Sequence, residues 1–354
     1  MKKIASIVGA RPQFIKASAV SRALAGKFHE VMIHTGQHYD PEMSDQVFAE
    51  LDMREPDFNL EIGSGTHGKQ TGLMLIDLEK TISEIEPDCI LVFGDTNSTL
   101  AGALVAAKAG IPLAHVEAGL RSFNRTMPEE VNRVLTDHVS DILFCPTDAA
   151  IQNLKNEGIT NGVHRVGDVM YDTLLHNRAL ARRRMSILPQ LGVEKNKYAL
   201  ATVHRAGNTD DPARLRSLLD ALGSLPVPVV FPVHPRTRNL INDLKLAVHS
   251  NVSLIQPLGP LEIVELLEHA DCLLTDSGGM QKEAYLLGVR CITLREETEW
   301  VETVEAGWNK LAGVDAKNIL NLFENWRPAG ERPALYGDGH AAVQICSILQ
   351  HELK

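Results

Sequence analysis

Short apolar runs recur from one end of the chain to the other, and stretches with helical spacing lie between them. The runs are IASIVGA, VMIHTG, CILVFGD, PLAHVEA, DILFCPT and VHRVGD, followed by YALATVH, VVFPVHP, VSLIQPL, CLLTDSG and CITLRE. Segments such as STLAGALVAAKAG, EEVNRVLTDHVSD, ARLRSLLDALGSL and EIVELLEHA separate them. Runs of this length, alternating with amphipathic helices, read as strands of parallel sheets covered on both faces. A chain of 354 residues exceeds one ordinary core and points to two domains. The array divides near GDVMYDTLLHNRALARRRMSILPQLGV, where a basic, helix-prone stretch runs into a proline-containing turn. The expected fold class is α/β, with two doubly wound Rossmann-like domains facing a cleft. One spans residues 1–168 and the other residues 169–339.

In such sheets ligands sit beyond the carboxyl ends of the strands. Arg11, Asp95, Glu117, His204, His234, Ser277 and Arg295 all stand at ends of this kind, divided between the two halves. Two apolar runs finish directly on carboxylates, CILVFGD on Asp95 and PLAHVEA on Glu117, and an acidic pair, Glu129-Glu130, follows. Partial desolvation at a strand end makes a carboxyl group a better proton carrier near neutral pH. Glu130 also fits a structural role, as an acid favoured by the dipole at the start of the helix EEVNRVL.

The formal net charge of −10 argues against nucleic acid as the main partner, because phosphate binding needs a basic face. Basic residues can still gather where a small anionic substrate binds. The five cysteines are odd in number and scattered, mostly within apolar runs, which suits reduced core thiols in a cytoplasmic protein. No apolar run approaches the ~20 residues needed to cross a bilayer, so no membrane partner is expected. The opening MKKIASIVGARPQ has too short an apolar stretch for a signal peptide.

GSGTHGKQ (63–70) imitates a phosphate loop, but Gln70 stands where a magnesium-binding hydroxyl is needed, and REPDFNLEI before it makes a poor buried strand. A loop capping the helix TGLMLIDLEKTI is the better reading. TDSGGMQKEA (275–284) is quieter and better placed. A strand ends, Ser277, Gly278 and Gly279 turn, and a helix starts at about Met280, leaving backbone N–H groups and a helix dipole for an anion. Ser277 as a plain N-cap is the simpler alternative. Glu283, one turn on, suits a sugar diol. Arg11 and Lys16 in VGARPQFIK set two cations after the first strand, which suits a diphosphate, while Pro12 is ordinary helix-start punctuation. His204 and His234 each have an arginine close by. Neither has metal-site spacing, so phosphate or proton roles are expected, with no metal and no cofactor.

Taken together, GARPQFIK, TGQH, GDTNSTLA, HVEAGLRS, MPEEVNR, VGD, HR, PVHP, TDSGGMQKEA and LREETEWVE resemble, in order and over essentially the whole chain, the non-hydrolysing UDP-N-acetylglucosamine 2-epimerases. The resemblance implies a glycosyltransferase-B-like fold whose C-terminal helix, about 340–354, returns to the first domain, usually in a homodimer. It implies a UDP-sugar substrate and anti elimination of UDP across C1 and C2 to give a bound 2-acetamidoglucal, followed by protonation from the opposite face and re-addition. It assigns acid/base roles to Asp95, Glu117 and Glu129, with the faces left open among them, and contact with the ribose to Glu283 and with the substrate to Arg295. Stabilising a diphosphate leaving group calls for cations and N–H donors, for which Arg11, His204, Ser277 and Gly278 are the candidates.

Two segments depart from the family pattern: Tyr39-Asp40-Pro41-Glu42-Met43 after TGQH, and Ala206-Gly207 within HRAGN. In the resembled enzymes these regions help build an allosteric UDP-N-acetylglucosamine site, so such activation is not expected here. SGTHGKQTG, RSFNRTMPEEVNRVLTDHVSDILFCPT, NTDDP and HPRTR are closer to a branch that converts UDP-2,3-diacetamido-2,3-dideoxy-glucuronate to its mannuronate epimer for surface polysaccharide. The alternatives are a plain UDP-N-acetylglucosamine 2-epimerase and, from another class, a glycosyltransferase of the same fold.

Overall fold

The computed structural model describes residues 1–37 and 53–354. The departure at Tyr39–Met43 lies outside the described residues. The chain forms two compact units, Met1–Thr173 with Leu335–Lys354, and Leu174–Ala334.

The first unit is built on a seven-stranded sheet of Lys3–Val8 (β1), His29–His34 (β2), Phe58–Asn59 (β3), Cys89–Phe93 (β4), Leu113–Val116 (β5), Ile142–Cys145 (β6) and Val163–Arg165 (β7). All pairings are parallel, in the order β3-β2-β1-β4-β5-β6-β7. The second unit has a six-stranded sheet of Ala199–Thr202 (β8), Val229–Pro232 (β9), Val252–Ile255 (β10), Cys272–Thr275 (β11), Arg290–Thr293 (β12) and Asn309–Leu311 (β13), in the order β10-β9-β8-β11-β12-β13. Counted within each unit, both sheets run third, second, first, fourth, fifth, sixth, and the first sheet adds a seventh strand. This is the Rossmann arrangement, whose order reverses between β1 and β4 and again between β8 and β11.

The central strands are largely apolar because helices cover both faces, with Ser6 in β1 and His115 in β5 as buried polar exceptions. All five residues of β4 are buried. On one face, helix Asn97–Ala109 lies unusually close. A Cβ on its Gly102 would come within 2.7 Å of Ile7 Cδ1 and 3.0 Å of Val92 Cγ1, so the small-residue run LAGALVAA is a packing requirement. On the other face, helix Arg11–Leu24 and the C-terminal helix Ala341–Glu352 share one core, to which Ile345, Cys346 and Leu349 contribute. The returning helix is capped by Asp172, whose carboxylate accepts the N–H groups of Ala341 at 3.1 Å and Ala342 at 2.9 Å. A cap of this kind stabilises by about 1 kcal/mol.

Three details differ from the sequence reading. Strands β3 and β13 carried no apolar run: β3 is only two residues long and β13 reads Asn-Lys-Leu. Helix His67–Ile85 begins inside GSGTHGKQ, which leaves only residues 63–66 as the loop, because Gly68, Lys69 and Gln70 continue the helical pattern. The division between the units falls within helix Val169–Ala181. All five cysteines are free and buried, and burial pushes the thiols of Cys89, Cys145 and Cys272 up to about 12. Among the described residues no helix is long and apolar enough to cross a membrane.

Candidate active site

The first unit presents its chemistry after β1, β4 and β5. Gly94 leaves β4 in the left-handed region (φ +63°), and Asp95 follows. The MPEEVNR segment organises this turn from helix Pro128–Val139. Asn132 Nδ2 donates to the Asp95 carbonyl at 2.9 Å, and Arg133 Nη2 reaches the Asp95 carboxylate at 2.6 Å. The other end of the Arg133 fork holds Glu130 at 2.9 Å. Glu130 is buried and accepts the backbone N–H groups of Ser122 and Phe123 at 2.9 and 2.8 Å. Burial pushes its carboxyl up, but the Ser122 N–H, Arg133 and the Phe123 N–H outweigh this and hold it below the usual range. Glu130 therefore ties down a loop. Glu129, its neighbour in the same helical turn, is exposed and has no hydrogen-bond or ion-pair partner among the described residues.

Glu117 follows β5 with φ +79°, a conformation that costs a residue with a side chain about 1–3 kcal/mol and that clusters at functional positions. Its carboxylate pairs with Lys16. Both groups crowd Gly94, where a Cβ would lie 3.1 Å from Lys16 Nζ and 3.3 Å from Glu117 Oε2, so a side chain there would be crowded and, at this positive φ, strained. Lys16, expected on a diphosphate, is thus engaged by a carboxylate within its own unit. Arg11 opens helix Arg11–Leu24, one residue ahead of Pro12. The buried Gln13, overlooked in the sequence, stitches the β1 turn to β4: its Oε1 accepts the Gly9 N–H at 2.8 Å and its Nε2 donates to the Phe93 carbonyl at 2.8 Å.

The second unit presents its groups after β8, β9, β11 and β12. Asp276, quoted within TDSGG but given no role from the sequence, is wholly buried. It accepts the backbone N–H groups of His204 and Arg205, each at 3.1 Å, and Asn208 Nδ2 at 3.0 Å, with His204 Nδ1 3.6 Å away. Ser277 caps helix Gly278–Leu287, which starts two residues earlier than the sequence suggested. A Cβ on Gly278 would strike Glu299 Oε1 at 2.1 Å, whereas Gly279 has nothing within 4 Å. The Glu299 carboxylate is held by Arg205 at 3.3 Å and Arg295 at 2.7 Å. Two arginines, a helix N-terminus and one resident carboxylate therefore converge on Gly278. Lys282 packs over the Trp300 ring at 4.6 Å. Burial pushes the Glu283 carboxyl up to about 7, against the pull of Lys282 beside it. His234 Nδ1 accepts the Arg236 N–H at 3.3 Å and so caps helix Pro235–Asp243. Ala206 and Gly207 open the short helix Ala206–Thr209.

These features define a doubly wound α/β protein with ion-paired carboxylates at the strand ends of one sheet and two arginines beside a helix N-terminus at those of the other. A family model described as UDP-N-acetylglucosamine 2-epimerase matches residues 22–350. The chain is 51% identical to a UDP-N-acetylglucosamine 2-epimerase homolog of Methanococcus maripaludis, over 99% of both chains. It is 48% identical to the UDP-2,3-diacetamido-2,3-dideoxy-D-glucuronate 2-epimerase of Pseudomonas aeruginosa, over 98% of this chain and 99% of the other. Two structures of the UDP-GlcNAc 2-epimerase from Methanocaldococcus jannaschii superpose with TM-scores of 0.88 and 0.80, the second in complex with UDP-GlcNAc and UDP. Both are 41% identical to this chain and cover 99% of it and 99% of their own chains. The chain belongs to the UDP-N-acetylglucosamine 2-epimerase family.

Proposed function

We propose that this protein inverts C2 of a UDP-2-acetamido sugar by anti elimination of UDP and re-addition through a 2-acetamidoglucal. One observation carries the reading: Asp95 and Glu117 follow the adjacent strands β4 and β5, and each carboxylate is paired with a cation, Arg133 (which also holds Glu130) and Lys16. The C2 proton has no carbonyl beside it and becomes acidic only as the C1–oxygen bond breaks. Inversion then needs one group to remove that proton and another to return one from the opposite face, since a single base tends to restore the starting epimer. Glu129, exposed in the same unit, is the third candidate. On the second unit, Ser277, Gly278, Gly279, His204 and Arg295 bind and stabilise the departing diphosphate, while Glu283 accepts from the ribose.

The substrate we favour is UDP-2,3-diacetamido-2,3-dideoxy-glucuronate, giving the mannuronate epimer for surface polysaccharide. The 48% identity to the Pseudomonas aeruginosa enzyme supports it. Buried free thiols are in keeping with a cytoplasmic location. A homodimer is supported by exposed Leu73 and Ile76 on helix His67–Ile85 and by exposed Val131 and Leu135 on helix Pro128–Val139, since both helices pack on Asn97–Ala109.

The test is NMR of the purified protein in D₂O with this sugar nucleotide and, separately, with UDP-N-acetylglucosamine. The epimer is expected to form without an acceptor and to carry deuterium at C2. Epimer without label, or UDP released only when an acceptor is supplied, would overturn the reading, and turnover of UDP-N-acetylglucosamine alone would move the substrate to the plain epimerase. Calorimetry with UDP probes the cradle. Ser277→Ala should weaken UDP binding about tenfold through the loss of a hydrogen bond to a charged group. Glu299→Gln should tighten it several-fold by freeing Arg205 and Arg295 from their resident anion. Equal affinities in all three proteins would place the diphosphate elsewhere.

A further inference from the structure

His115 lies in β5 with its ring wholly buried. Its Nδ1 is 2.7 Å from Asp137 Oδ1, and its Nε2 is 2.8 Å from the Gly94 carbonyl oxygen. A carbonyl oxygen can only accept. The Asp137 carboxylate also acts as an acceptor, since its Oδ2 takes the Gly119 N–H at 3.0 Å and Arg121 Nη1 at 2.7 Å. Burial pushes the Asp137 carboxyl up, but the His115 hydrogen bond and the charge and hydrogen bond of Arg121 hold it below the usual range. A neutral imidazole has one donor and one acceptor nitrogen, so it would set a lone pair against a lone pair on one side of this buried ring. The surrounding charges also call for a cation. Arg121 is shared between Asp137 and Glu157, which it grips at 2.6 and 2.7 Å, and His138 lies 3.8 Å beyond Glu157. With His115 charged, the inner four groups, His115, Arg121, Asp137 and Glu157, sum to zero.

We propose that His115 is a buried imidazolium that acts as a positioning residue, clamping the turns that carry Asp95 and Glu117. On one side it holds the carbonyl of Gly94, the residue before Asp95. On the other, through Asp137, it holds the N–H of Gly119, which with Glu117 forms a turn in the left-handed region (φ +80° and +79°). A ring bonded at both nitrogens fixes the distance between the two turns. A neutral ring would release one of them. The role rests on the proposed function in one respect, that Asp95 and Glu117 carry the protons.

The experiment combines nitrogen-15 NMR of the histidine side chains at pH 7.5 with kinetics of the His115→Gln variant. In the unmodified full-length protein, the signal that disappears in the variant should show both ring nitrogens protonated. The variant should lose about 100-fold in kcat while KM and the UDP affinity stay within about twofold, because the glutamine amide can donate but cannot bridge both turns as a cation. A neutral tautomer for that signal overturns the proposal, His115→Asn supplies the same assignment should His115→Gln fail to fold, and an unchanged kcat overturns the positioning role. Failure of the unmodified protein to epimerise any UDP-sugar would strike the functional reading alone, since the nitrogen spectrum reports the charge of His115 without turnover.

Discussion

Asp95→Asn is expected to lower turnover about 1,000-fold while leaving UDP affinity within a few-fold, the range typical of removing one acid/base group. Asparagine keeps the shape of the side chain and leaves the Asn132 bond to the backbone carbonyl intact, so the turn should stay in place. The variant loses the ability to carry a proton and the charge that pairs with Arg133. Glu117→Gln is expected to behave alike, freeing Lys16. The measurement is the rate of epimer formation together with deuterium incorporation at C2, set beside UDP titration by calorimetry. Turnover within tenfold of the unmodified enzyme in either variant would remove that carboxylate from the proton chemistry. Loss of UDP binding in step with turnover would point to a folding defect.

The second large effect is expected at Asp276. This wholly buried carboxylate takes three N–H donors, two of them from the backbone of His204 and Arg205. Asp276→Ala leaves those donors without an acceptor, which costs about 1–3 kcal/mol for each group that water cannot reach. A loss of about 3 kcal/mol corresponds to a fall on the order of 10 °C in the melting of a unit of this size. His204 and Arg205 should also lose their place beside the proposed diphosphate cradle, so UDP affinity is expected to fall by at least tenfold. Thermal unfolding with and without UDP reads both effects. An unchanged melting temperature would show that the His204 turn holds itself.

Most of the strands that could be read directly were those buried on both faces, because continuous helix cover demands continuous apolarity; the edge strands Val163–Arg165 and Val252–Ile255 were read as well. Asn309–Leu311 and Phe58–Asn59 sit at sheet edges and are too short or too polar to leave that mark. The acidic residues at strand ends were legible for a related reason, since a carboxylate closing an apolar run is conspicuous. Their partners were not. MPEEVNR marked Glu130 as a first-turn acid but did not show that it, and not the exposed Glu129 one position earlier, ties down Ser122 and Phe123. The choice depends on which residue of one helical turn faces a loop seven or eight residues back in the chain.

The order of apolar and helical stretches determined by itself that the chain would build two doubly wound parallel sheets, because burial on both faces of a strand is written locally. Tertiary structure alone decided the pairing of charges: Lys16 with Glu117, Arg133 with both Asp95 and Glu130, Asp276 beneath His204, and His115 between Gly94 and Asp137. Hydrogen bonds and ion pairs act over about 3 Å between groups that can lie a hundred residues apart in the chain. Only the folded sheets bring such groups together.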